Sequence, residues 1–307
     1  MKIIKSNRRG SGGRVFWGVL ACLFVLLSAA GCKSGSKKQE EKKVAVGSKG
    51  FAENQIVSKL FQLALEDKGF KVEFIDNLDG EVLQQAIETG KINLYPEYTN
   101  TGIVSILKLA PIFDTGEAYR TVKAQYKERF NIVWLEPSSI NNTYCLVLAR
   151  ETADRLGIKN ISQLQKNAGE IRVAGAGWEE RPDHLPAMRA AYGDFNFKSM
   201  TLYSGILKYQ VLVNGEEDLT LGYTTDPQLE NKKLLVLEDD KLIWPPYNLT
   251  PIVKQETLDT YPEIEEILNQ VTKKLDTDTM IRLSAAVSLQ HEEVEDVARE
   301  FYRDHIK

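Results

Sequence analysis

Cysteine and histidine are scarce: three of each among 307 residues. No Cys/His pairs stand at ligand spacing, which argues against a zinc or other metal centre. The chain has no Gly-x-x-x-x-Gly-Lys phosphate loop and no Gly-x-Gly-x-x-Gly run, and Gly175-Ala176-Gly177 is too short to serve as one. It has no Gly-x-Ser-x-Gly elbow either. Asp183 and His184 are adjacent, but no such serine accompanies them, and His291 and His305 fall on amphipathic C-terminal stretches. No cofactor and no enzymatic activity are therefore expected. Long apolar runs are also missing. Val15 to Ala30, sixteen residues, is too short for a comfortable membrane span. What is present is 43% hydrophobic and 27% charged, the balance of a soluble globular protein of about two domains.

The apolar run follows a basic start (Lys2, Lys5, Arg8, Arg9, Arg14) and ends in Ser28-Ala29-Ala30-Gly31-Cys32. That order is a secretory signal. Small residues before the cysteine resemble the lipobox of bacterial lipoproteins, although Ala29 stands where leucine is commonest. The resemblance implies cleavage after residue 31 and lipid on Cys32; the plain alternative is an ordinary signal in which Cys32 is incidental. Residues 32–43 are polar and read as a flexible tether. Only Cys145 then remains as a free thiol, in the apolar run Tyr144 to Ala149, so no internal disulfide is expected. Net charge is −4, from 39 positive and 43 negative residues. Without the five N-terminal cations the balance becomes 34 against 43, a body too acidic to favour nucleic acid.

From Val44 the pattern alternates. Val44 to Gly47, Val72 to Ile75 and Ile92 to Tyr95 read as strands. Helices stand between them, closed by Gly69 and Gly90, and Gly102 to Leu109 reads as a further helix. Ile171 to Ala174, Ser199 to Tyr203 and Leu219 to Gly222 repeat the strands around helices at Leu185 to Tyr192 and Ile206 to Val213. Three amphipathic stretches end the chain: Tyr261 to Leu275, Thr277 to Leu289 and Glu292 to His305. The order implies parallel α/β sheets in two lobes, with a ligand cleft beyond the strand ends.

Five segments stand out at those ends: Ser48 to Asn54, Tyr95 to Gly102, Asn141 to Tyr144, Gly222 to Asp226, and Asp239 to Asn248. Four carry tyrosine. Each aromatic face attracts a cation with about 0.5–2 kcal/mol, and several together suit a quaternary ammonium that has no proton to donate. Singly, a loop tyrosine more often caps a core edge; four together favour the cage.

These segments, in this order, resemble the substrate-binding proteins of bacterial osmoprotectant ABC importers, the quaternary-amine family that takes glycine betaine, choline or carnitine. The resemblance covers residues 44–305. Its most specific parts are Tyr95-Pro96-Glu97-Tyr98-Thr99 and Asp239-Asp240-Lys241 with Pro245-Pro246-Tyr247. It implies a type II periplasmic-binding-protein fold, two α/β lobes joined by two crossovers near Tyr144–Val147 and Pro246–Leu249. Lobe 1 would be 44–145 with 248–307, and lobe 2 would be 146–247. The resemblance places Tyr98, Tyr144, Tyr223 and Tyr247, with Asn142, around the cation. It places Lys49, Thr101 and Arg181 on a carboxylate side. It further implies a monomer that meets a permease and is held by lipid in the cell envelope, at the outer face of the cytoplasmic membrane or in the periplasm. Three departures bear on ligand choice: Asn100 replaces a glycine, Asn142 an aspartate, and Gly177 to Asp183 fits the family's arginine segment loosely. A different betaine or amino-acid derivative, selected around Trp178, is the alternative, and behind it a non-transport lipoprotein or an enzyme of the same fold. Glu53 reads as a helix-start acid and is not assigned to the ligand.

Overall fold

Val44, Ala45 and Val46 are buried on both faces, as a strand covered by helices on each side must be. They form β1 (Lys43–Gly47), in a computed structural model that describes residues 41–307 except Asp79, Ala176, Glu179, Glu180 and Ser204. The expected signal, Cys32 and the tether up to residue 40 lie outside the described residues.

After β1 come α1 (Ala52–Asp67), β2 (Lys71–Ile75), α2 (Gly80–Glu88), β3 (Leu94–Tyr98), the short turn α3 (Thr99–Thr101) with a π-helix over Gly102–Ile106, α4 (Thr115–Phe130) and β4 (Ile132–Trp134). The chain then crosses to a second set: β5 (Tyr144–Ala149), α5 (Arg150–Leu156), α6 (Ile161–Lys166), β6 (Arg172–Ala174), α7 (Leu185–Tyr192), β7 (Ser199–Thr201), α8 (Leu207–Val213), β8 (Leu219–Tyr223) and β9 (Leu234–Val236). It returns through β10 (Leu249–Lys254) to α9 (Gln255–Thr260), α10 (Glu263–Thr272), α11 (Thr277–Ser288) and α12 (Val294–His305). Gly69 and Gly90 follow their helices with φ of 83° and 76°, the left-handed stop that only glycine adopts without cost.

The strands build two five-stranded sheets, ordered β2-β1-β3-β10-β4 and β7-β6-β8-β5-β9. Neither is wholly parallel, contrary to the alternation in the sequence. β10 runs antiparallel to β3 and β4, and β5 antiparallel to β8 and β9. These are the strands that arrive from the other lobe, so they enter their sheets from the opposite end. Tyr144 and Cys145, expected in lobe 1, lie on β5 and hence in the second sheet.

Other boundaries also move. The third strand is Leu94–Tyr98 rather than Ile92 to Tyr95, which puts Pro96, Glu97 and Tyr98 on a buried strand. The helix expected at Gly102 is a π-helix that stops at Ile106. α4 escapes notice in the sequence because its buried face is only Ala118, Val122 and Tyr126 in a charged surround.

Each sheet is a filled sandwich. α1, α10 and α12 cover one face of the first; α2, the π-helix and α4 cover the other. α5, α6 and α7 cover one face of the second, and α8 the other. The crossings between the lobes are stitched side by side. Asn141 and Asn248 form an isolated antiparallel bridge. Tyr247 N donates to Asn141 Oδ1 at 2.7 Å, and Asn142 N to Tyr247 O at 3.1 Å. The Thr143 hydroxyl donates to Pro245 O at 2.7 Å. Asn100 is fully buried in right-handed helical backbone, and its amide donates to Pro246 O at 2.6 Å and to Ile112 O at 2.9 Å. The residue that replaces glycine therefore needs no positive φ; it anchors the return crossing instead.

Gly102 is packed tightly by aromatics. A Cβ there would lie 2.9 Å from the ring of Trp134 and 3.2 Å from Tyr126 Oη. Trp134 is fully buried and cannot swing away. Gly102→Val should destabilise the protein by roughly 1–3 kcal/mol, read as a lower urea midpoint at unchanged slope.

Candidate ligand-binding site

The antiparallel register sets Tyr144 directly opposite Tyr223. Cross-strand partners share a face, so the two rings lie together, stacked 4.9 Å apart at 28°. Tyr98 ends β3 opposite Leu249, and Tyr247 sits on the return crossing beside it. All four tyrosines border one cavity of about 550 Å³ between the two sheets. The tyrosines expected in loops are thus mostly strand ends, where backbone pairing fixes the ring position.

Asn142, Lys49 and Thr101 line the same cavity. Arg181 does not. It lines a smaller cavity of about 230 Å³ in the second lobe that shares Tyr144 and Tyr223 as a common wall. Its guanidinium is held by Asp183 at 3.0 and 2.7 Å, and Nη2 donates to Tyr144 Oη at 2.9 Å. Trp178 also faces the smaller cavity, with its ring edge-on to Phe197.

Several cavity residues were not assigned from the sequence, among them Phe51, Glu53, Ser284 and Ser288. Phe51 stacks at 6.2 Å on Tyr98. Ser284 and Ser288, one turn apart on α11, complete the wall on the first-lobe side; nothing in their helical pattern marks them. Most consequential is Glu53, in the first turn of α1 but turned into the cavity. The Tyr98 hydroxyl donates to Glu53 Oε1 at 2.6 Å and the Asn142 amide at 3.1 Å, while Oε2 is buried with no hydrogen-bond partner. Burial raises the Glu53 pKa above the usual carboxylate range, and the hydrogen bond from Tyr98 only partly offsets it. The signal was present in the Ser-Lys…Phe…Glu segment, and the helix-start role expected for Glu53 hid it.

Lys49 pairs with the fully buried Glu97 through a short contact, and its ammonium stands 5.1 Å from the Tyr98 ring centre. Its charge is thus largely spoken for within the first lobe. Asp226, across the cavity, accepts from Tyr223 N at 2.9 Å and from the Tyr209 hydroxyl. With Lys49 paired, Glu53 and Asp226 leave the larger cavity electronegative, and its walls are aromatic. Such a chamber favours a compact cation with few protons to give.

Residues 42–304 match the substrate binding domain of the ABC-type glycine betaine transport system. The chain belongs to this family. It is 32% identical to the glycine-betaine-binding protein of Pseudomonas aeruginosa over 91% of this chain and 93% of that protein. It is 32% identical to the carnitine transport binding protein OpuCC of Listeria monocytogenes, over 84% of this chain and 85% of that one. A solved glycine betaine/carnitine/choline ABC transporter structure superposes with a TM-score of 0.81 at 28% identity, covering 86% of this chain and 98% of that chain. The two-lobed architecture is therefore that of the periplasmic substrate-binding proteins.

The buried carboxyl of Glu53 has a pH signature. Because its pKa is raised on folding, its stabilising contribution is present below the unfolded value of 4.5 and is lost as pH rises through the folded value. Glu53→Gln removes that loss. The ligand-free variant should melt above the wild type at pH 8, and the gap should shrink toward pH 4; scanning calorimetry at the two pH values checks this.

Proposed function

We propose that this protein is an extracytoplasmic receptor that captures a small quaternary amine of the glycine betaine, choline or carnitine type and delivers it to an ABC permease. The observation that carries this reading is the electronegative, tyrosine-walled cavity formed by both lobes. Tyr98, Tyr144, Tyr223 and Tyr247 present ring faces or edges to the cationic head. Asn142 acts by holding Glu53 rather than by direct charge. Lys49 and Thr101 are offered to a ligand carboxylate from the first lobe, with Lys49 weakened in that task by Glu97. The role is binding without turnover, by a monomer anchored through lipid on Cys32 at the envelope. The names of the relatives, which bind glycine betaine and carnitine, agree with it.

The mechanism follows from the two-sided lining. A ligand touching β3 and α1 on one side and β5 and β8 on the other gains its full contact only when the lobes are together. It therefore shifts the protein toward the closed arrangement by its differential affinity. The closed form is the one presented to the permease.

Calorimetric titration with choline, glycine betaine, carnitine and proline betaine tests the reading. At least one should bind, and Tyr223→Ala should weaken that ligand about tenfold, in line with about 1–2 kcal/mol for one desolvated aromatic face. Unchanged affinity in Tyr223→Ala would falsify the cage.

A further inference from the structure

The smaller cavity is lined by Trp178, Arg181, His184, Lys208 and Gly222, beside Tyr144 and Tyr223. The cation-binding role proposed above does not use it. His184 is only 8% exposed, and neither ring nitrogen has a hydrogen-bond partner. Asp183 Oδ1 stands 4.0 Å from its Nε2, beyond hydrogen-bond reach. A buried imidazole with both nitrogens unmet is costly, so a group that fills the cavity and bonds to it would recover that cost. Lys208 is half-buried and spends one donor on Leu221 O at 2.7 Å, which leaves two. None of the described residues lining this cavity is acidic. Among the described residues, two acids close by are engaged elsewhere: Asp183 with Arg181, and Asp226 with Tyr209 and the Tyr223 amide.

The two cavities thus have opposite character across one aromatic wall. The larger holds Glu53 and Asp226; the smaller holds Lys208, Arg181 and an unpartnered imidazole. Burial lowers the pKa of His184, and Arg181 and Lys208 act in the same direction against Asp183, so the ring enters as a neutral donor.

We propose that the smaller cavity is a second ligand subsite, in which Lys208 and His184 bind the carboxylate of a quaternary amine longer than glycine betaine. The proposal rests on the cage reading above. In glycine betaine one methylene separates the charges, which keeps both on one side of the Tyr144–Tyr223 wall. A chain of three methylenes lets the carboxylate pass it.

The test is calorimetry on the purified protein with γ-butyrobetaine and choline, which share a trimethylammonium head and differ in the carboxylate. The wild type should prefer γ-butyrobetaine about tenfold. Lys208→Met and His184→Ala should each cut that preference about tenfold, as loss of a hydrogen bond to a charged group does. Circular dichroism checks folding, and if Lys208→Met fails to fold, His184→Ala decides. A preference unmoved in the folded variants, with choline still bound, overturns the subsite and leaves the cage intact. Silence of the wild type toward every quaternary amine overturns both.

Discussion

The pairing of β5 with β8 fixes Tyr144 opposite Tyr223 and, with them, the wall between the two cavities. A strand has a side-chain period of two, so a slip of one residue would turn one ring to the other face and part the pair. The register is secured by what flanks the rings. Leu146 and Leu221 are partners two residues further on and are buried in the second-lobe core. Thr224 N donates to Thr143 O at 2.9 Å, which continues the pairing past the strand ends. The rings thus inherit their position from the core, and side-chain freedom has little say in it.

The same economy governs the chain crossings. A single tie between lobes would leave their faces free to twist. Two antiparallel ties, bonded to each other through Asn141, Thr143, Tyr247 and Asn248, oppose such twisting. Tyr247 and Asn142 belong both to these crossings and to the cavity lining, so the wall of the cavity and the link between the sheets share the same short segments.

Charge is partitioned with similar care. Glu97 is wholly buried and would be intolerable alone; Lys49 compensates it from the cavity wall. That pairing changes what the lysine can do. From its place after β1 it reads as a free cation for a carboxylate, whereas in the fold it balances an acid on the adjacent strand β3. The role left open is an electronegative chamber under Glu53 and Asp226, with the cationic groups gathered behind Tyr144 and Tyr223 instead.

The sequence by itself determined the two α/β halves and the tyrosine-bearing segments at strand ends. Those features are local: alternation of strand and helix, glycine stops, and short polar-aromatic segments at strand ends. It could not show that β5 and β10 run against their neighbours, because direction within a sheet depends on which lobe a strand comes from. Nor could it separate Arg181 from the larger cavity or turn Glu53 into it. Both outcomes depend on partners far away in the chain: Tyr144 lies 37 residues from Arg181, and Tyr98 lies 45 from Glu53. Only the packed tertiary structure brings such groups within hydrogen-bond distance, and that distance decides which charge is free and which is already met.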